Sequence, residues 1–276
     1  MTTTATPPQR YTSSLPVGGA TLPRVIRSEW TKFWTLRSTW WTLLIAFVVT
    51  IGFATLLAWG ASSNVDKMNA QDRATLDVTN LAMAGVAFGQ LAFAVLGALV
   101  VASEYTTGGI KATLVAVPNR LRVLLAKVLV FSVVAWVVGT AAAFASFFVA
   151  MTFWSSHDLA ASLSTPAVLR SVFGAGLIAL ASGLLGLALG ALIRHTAGSI
   201  TAGIALLFVV PPLTNLLPGN WGKSISTHFT TNAGQRITEV IHTPGQLHPW
   251  PGYLWMLAEC VIPLLIGAWL MRRRDA

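Results

Sequence analysis

Charge is scarce in this sequence: only 10% of its 276 residues are Asp, Glu, Lys or Arg, against roughly 25% in soluble domains. So few charges cannot cover a water-facing surface of this size, which excludes a soluble enzyme. Cysteine is nearly missing as well. The single one, Cys260, lies inside an apolar block and has no partner for an intrachain disulfide, so no loop is stapled. The first 23 residues are rich in Thr and Pro and lack the hydrophobic region of a cleavable signal peptide. No cluster of nucleophile, base and orienting acid is present, which argues against a membrane hydrolase. His228, His242 and His248 are spaced by 14 and 6 without Cys or paired acids, a pattern that matches no metal site. A phosphate loop is also lacking. Gly222-Lys223-Ser224 would need glycine at position 217, where Leu217 stands.

What the chain has in quantity is apolar length: 54% of it is hydrophobic and the mean hydropathy is +0.68. A hydrocarbon core of about 30 Å takes about 20 apolar residues at 1.5 Å each. Six blocks qualify, at residues 40–60, 81–103, 123–151, 168–193, 197–217 and 252–271. The fold class is therefore an all-α integral membrane protein, with one membrane domain over residues 40–271. Flanking it are a disordered tail at 1–21, an interfacial helix at 22–39 and a basic tail at 272–276. The fifth block contains Pro211 and Pro212 and must kink to span, with the freed backbone facing protein or the interface rather than lipid.

Of the 18 basic residues, 13 fall on the side of the N-terminus if the chain crosses six times. The positive-inside rule then puts both termini in the cytoplasm. Asp66, Asp72, Asp77, Asp158 and Glu239 leave the outer loops near neutrality, so the net charge of +9 belongs to the cytoplasmic face. Charges along helix ends are explained by topology and anionic lipid, not by nucleic acid. Tryptophans agree with this map: Trp40, Trp41 and Trp269 fall at inner ends, and Trp59, Trp154, Trp250 and Trp255 at outer ends. Trp136, in mid-span, reads as packed between helices. Arginine outnumbers lysine 13 to 5 and Ala, Gly and Val are abundant, a usage that points to a GC-rich bacterial genome, so the expected location is a bacterial plasma membrane.

Before the first block, Leu22, Ile26, Trp30, Phe33 and Leu36 recur at helical spacing, with Arg24, Arg27 and Lys32 between them. This fits an amphipathic helix flat on the inner leaflet, or a cytoplasmic extension of the first span. Between the second and third blocks, Glu104-Tyr105-Thr-Thr-Gly108-Gly109 allows a sharp turn, a short run follows, and Pro118 ends it before Arg120. A short helix parallel to the membrane fits, as does an ordinary positive-inside loop.

This loop, the Glu29-Trp-Thr-Lys-Phe run and the six-span layout together resemble permease subunits of type-2 ABC transporters. The resemblance implies an interfacial helix bearing Ile26, Glu29, Trp30, Lys32 and Phe33. It also implies a coupling helix that docks on a separate cytoplasmic ABC ATPase, with Glu104, Tyr105, Gly108, Gly109, Leu114, Pro118 and Arg120 at the contact. ATP and Mg would then be bound by that partner, with no cofactor on this chain, and six spans imply a homodimer. Short outer helices in the 218–251 loop are implied too.

Two further features stand out. Ser182, Gly186 and Gly190 form one small-residue stripe and Ala175, Ala179 and Gly183 another, with Gly85 and Gly89 in the second span; such stripes allow close approach within a subunit or across a dimer seam. Glu259 is read as the one ionisable group well inside a span, and Pro263 four residues on frees its carbonyl. The pair marks either the translocation path or a structural, hydrogen-bonded acid. The expected function is an exporter permease for an amphipathic or hydrophobic substrate. The alternatives are an ATP-independent carrier or channel, which would bury several ionisable groups, and a scaffold, which would need a soluble domain.

Overall fold

The computed structural model describes residues 21–242 and 244–273, so the tails at 1–20 and 274–276 lie outside the described residues. Among them no strand occurs, and six helices are long and apolar enough to cross a membrane. Helix α1 (Leu22–Thr35) starts with Pro23 in its first turn and ends where Leu36 turns extended. The first span follows as α2 (Arg37–Ser62). After it come α3 (Ala70–Ala74), α4 (Val78–Met83) and α5 (Val86–Thr106), the last two forming the second span. Next are α6 (Gly109–Ala116), the third span α7 (Arg120–Ser155) and the fourth span α8 (Pro166–Ile193). The fifth span joins α9 (Thr196–Ile204), a π turn (Ala205–Val209) and α10 (Val210–Thr214). Short α11 (Gly219–His228) and α12 (Thr230–Gly234) precede the sixth span, α13 (Pro249–Arg273).

Helix α8 is the hub. In its most apolar stretch 78% of residues are buried, against 28, 22 and 28% in the first, fifth and sixth spans. Lipid tails are as apolar as leucine, so helix association relies on close van der Waals contact and needs small residues. Here they sit where that contact is tightest. A Cβ on Gly97 would come within 2.0 Å of the Gly183 carbonyl oxygen, and one on Gly186 within 1.9 Å of the Ala94 carbonyl oxygen. Gly85, at the break between α4 and α5, presses equally close on the Thr50 carbonyl. Gly183 packs on Phe131, Gly190 lies against Ala98, and Ser182 Oγ donates to Gln90 Oε1 at 3.3 Å. The stripes on α8 thus serve contacts with α5 and α7 of the same chain.

The helix break expected at Pro211 takes the form of the π turn. Proline has no N–H for the carbonyl four residues back and its ring crowds that carbonyl, so the preceding turn widens while the helix runs on to Thr214. One tryptophan reading is corrected: Trp136 is 41% exposed on the outside of α7. Trp154 lies at the end of α7 with its ring buried in the core. The carbon surface of an indole gains little from facing protein rather than lipid, so span position alone does not say which way a ring points.

Candidate functional site

At the end of the bundle carrying α1 and α6, four charged side chains from three helices meet. Lys127, in the second turn of α7, donates from Nζ to Glu29 Oε2 of α1 at 2.8 Å and to Glu104 Oε1 of α5 at 2.7 Å. Lys32 Nζ donates to Glu29 Oε1 at 2.9 Å, to Glu104 Oε1 at 3.2 Å and to Thr113 Oγ1 of α6 at 3.3 Å. Two carboxylates balance two ammoniums, which is the condition under which charges survive burial. The side chains of Lys127 and Glu29 are 4% and 6% exposed, Glu104 18% and Lys32 40%.

Burial alone would push the Glu29 carboxyl up, but the Lys127 and Lys32 ammoniums outweigh it and hold the group below its ordinary value. Burial likewise pulls the Lys32 ammonium down, and Glu29 and Glu104 more than reverse this.

Local sequence sets this geometry. Gly108 adopts φ +72°, left-handed backbone that a side chain would strain, and so turns the chain from α5 into α6. The helix α6 buries only Ile110 and presents Val115, 84% exposed. Val117 and Pro118 end it. Asn119 then caps α7 by accepting from the Arg122 N–H at 3.2 Å. Arg120 Nη1 donates to the Met271 carbonyl at 3.1 Å, tying α7 to the end of the sixth span. The Tyr105 ring carries the Arg194 guanidinium 4.9 Å from its centre, linking α5 to the end of α8.

The expected residues are therefore only partly gathered. Glu29, Lys32 and Glu104 share one cluster, with Phe33 buried beside it. Ile26 is half-buried, Trp30 is 43% exposed, Gly109 begins α6, and Leu114 lies half-buried within it. The face α1 turns to the bundle is Val25, Glu29 and Phe33, while Trp30 and Leu36 of the apolar stripe stay exposed. The ion pair with Lys127 draws an acidic residue inward beside Phe33.

Lys127 is the residue that sequence reasoning passed over, as one more basic group at a span end. Its signal was its place inside the apolar block at 123–151, where an unpaired lysine is costly.

Two spaces flank the cluster. A groove of about 540 Å³ runs between α1 and α6, lined by Arg24, Val25, Ser28, Ala112 and Val117. A cavity of about 380 Å³ opens between α1, α2, α5 and α7. Glu29 and Lys32 line both.

At the opposite end, Glu259 Oε1 accepts from Trp255 Nε1 at 3.1 Å, and Oε2 from the Thr230 hydroxyl of α12. Pro263 lies one turn further along α13. Residues 218–251 hold short helices fastened to the spans. Asp77 accepts from the Val240 and Ile241 N–H groups at 2.8 and 3.1 Å, and Ser171 Oγ donates to the Thr238 carbonyl at 2.6 Å. Asn232 Nδ2 donates to Thr214 Oγ1 at 3.2 Å and to the Ser226 carbonyl at 3.0 Å. Among the described residues no group of three or more His, Cys, Asp or Glu could hold a metal.

Residues 25–212 match the family model described as ABC-2 family transporter protein. The match begins on the buried face of α1 and ends at the prolines of the fifth span, so it takes in the whole ion cluster. No curated protein matches the chain.

Proposed function

The chain belongs to the ABC-2 transporter family, and from that premise we propose that it couples ATP hydrolysis on a separate ABC ATPase to movement of a substrate through its six spans. It is a multi-pass membrane protein and a transport component of an ABC-type transporter. The finer reading adds that α6 is the coupling helix, that the α6 end faces the cytoplasm, and that two copies form the working unit. Support for the orientation comes from the 13 of 18 basic residues on that side.

The observation that carries the proposal is the ion cluster. Exposed α6 is tied through Thr113 to Lys32, and through Lys32 and Lys127 to α1, α5 and α7. A push on α6 is then delivered to two spans and the interfacial helix together, because the cluster cannot open without leaving a charge unpaired in a poorly solvated place. The groove between α1 and α6 and the exposed Val115 provide a docking surface for the ATPase. Bound ATP and Mg belong to that partner, which performs the hydrolysis.

At the far end, the Thr230 and Trp255 bonds to Glu259 join α12 to the sixth span, which supports a role for Glu259 and Pro263 at the outer gate of the path. Apart from the neutral ion cluster and Glu259 the spans are almost wholly apolar, which favours an amphipathic or hydrophobic substrate, and we assign the direction as export from a bacterial plasma membrane.

Copurification tests the central point. A Walker-motif ATPase should be retained by the wild-type chain and released by charge reversal at Glu104 or Arg120. Retention of no such ATPase from native membranes, or retention unaffected by both reversals, would refute the coupling role.

A further inference from the structure

The cavity between α1, α2, α5 and α7 has the composition of an amphiphile site. One part of its lining is apolar, formed by Leu96, Leu99, Val100 and Val130, and another is the charged cluster of Glu29, Lys32, Glu104 and Lys127. At about 380 Å³ it falls in the range of small-molecule sites.

Within the ion cluster one atom is left over. Glu104 Oε1 accepts from both lysines, while Oε2 is buried and receives no hydrogen bond among the described residues. A buried carboxylate oxygen without a donor is costly, so the site is one donor short. Carboxylate terminal torsions are soft, and a modest rotation turns that oxygen toward a group in the cavity.

The occupant's source follows from the depth of the site. Trp40 and Trp41, beside the cavity at the start of α2, are 55% and 65% exposed, and Trp40 Nε1 donates to the Trp34 carbonyl at 3.0 Å. An exposed indole belt of this kind marks the headgroup region, so the cavity opens at the boundary of headgroups and acyl chains.

We propose that this cavity holds one membrane phosphatidylethanolamine, its ammonium donating to Glu104 Oε2, its phosphate facing Lys32 and an acyl chain lying along Leu96, Leu99 and Val130. A choline headgroup carries the same charge but has no N–H to donate, and a glycerol headgroup offers no cation. Because Glu29 and Lys32 also wall the groove on the α6 side, the bound lipid braces the cluster against which that groove is built. The proposal needs only that the helices span a bilayer. It stands apart from the transport reading.

The test is native mass spectrometry of the full chain released from nanodiscs holding equimolar phosphatidylethanolamine, phosphatidylcholine and phosphatidylglycerol of identical acyl chains. One phosphatidylethanolamine per chain is expected, favoured over phosphatidylcholine by about tenfold or more, the factor set by one hydrogen bond to a charged group. Filling the cavity with Leu99→Trp should abolish its retention, and Glu104→Gln should erase the preference between the two headgroups. Equal retention of both lipids by the wild type overturns the proposal, as it would if water alone satisfied Glu104. Preferential retention of phosphatidylglycerol also overturns it, as does undiminished retention by a Leu99→Trp chain that melts like the wild type. The headgroup comparison needs no variant and stands even if the substitutions fail to fold.

Discussion

Replacing Lys127 with methionine should damage the protein far more than the same change at Lys32, although both lysines pair with the same two carboxylates. Lys127 is 4% exposed and lies 2.8 and 2.7 Å from Glu29 and Glu104, whose side chains are 6% and 18% exposed. Its loss removes the one deeply buried ammonium and leaves both carboxylates only the partly exposed Lys32. Breaking a buried pair in this way costs about 3–5 kcal/mol. Lys32 is 40% exposed, and after its removal Lys127 still bridges both acids, so about 0–1 kcal/mol is expected there.

Each kcal/mol moves Tm by about 2–4 °C in chains of 150–250 residues. Thermal unfolding of the purified chain in detergent should therefore fall by roughly 10 °C for Lys127→Met and by no more than about 4 °C for Lys32→Met. Adding Glu29→Gln to Lys127→Met restores charge balance and should recover at least half of the loss. Equal shifts for the two lysine variants, or no recovery in the double variant, would show that the cluster does not hold the helices together.

Other expectations follow from the same geometry. Gly186→Ala and Gly97→Ala put a Cβ within about 2 Å of a backbone carbonyl and should each lower stability by about 1–3 kcal/mol or more, whereas Gly52→Ala meets nothing within 4 Å and should be neutral or stabilising; a comparable Tm drop for all three would sink this. The Glu29 carboxyl lies below its ordinary 4.5 in the folded chain, so its contribution is complete above that value and is lost as pH falls through the lowered one. Lys32 lies above its ordinary 10.5, so its contribution is complete below that value and is lost as pH rises through the raised one. Proteolytic release of α1 should accordingly be flat with pH between those limits and increase beyond either, and Glu29→Gln should remove the acid limb. Finally, Glu259→Gln should impair transport while leaving abundance and ATPase binding intact; loss of folded protein instead would make the acid purely structural.

Much of the site was written in the sequence as separate pieces. Glu29 and Lys32 stood out before the first span, and Glu104 with the glycine pair after the second, because charges and turn residues beside long apolar runs are conspicuous. Their meeting was not visible. Glu29 and Glu104 are 75 positions apart, and the residue that joins them, Lys127, looked like any basic group at a span end. On α1 the apolar periodicity was legible, but lipid and protein are both apolar partners, so it could not say that Phe33 turns to the bundle while Trp30 and Leu36 stay exposed.

By itself the sequence determined the number of crossings and their approximate limits, since hydrocarbon thickness sets how many consecutive apolar residues a helix must have. It also determined where the chain must turn, through Gly108, Pro118 and the paired prolines of the fifth span. Only the tertiary structure decided that α8 lies at the centre, that the small residues of α8 and α5 meet each other, and that Lys127 points into an acidic pocket made by two other helices. In a membrane every span satisfies its own backbone hydrogen bonds, so each can be recognised alone. Which faces they share depends on contacts of about 0.1–0.2 kcal/mol per atom pair, summed over surfaces that exist only once the helices are together.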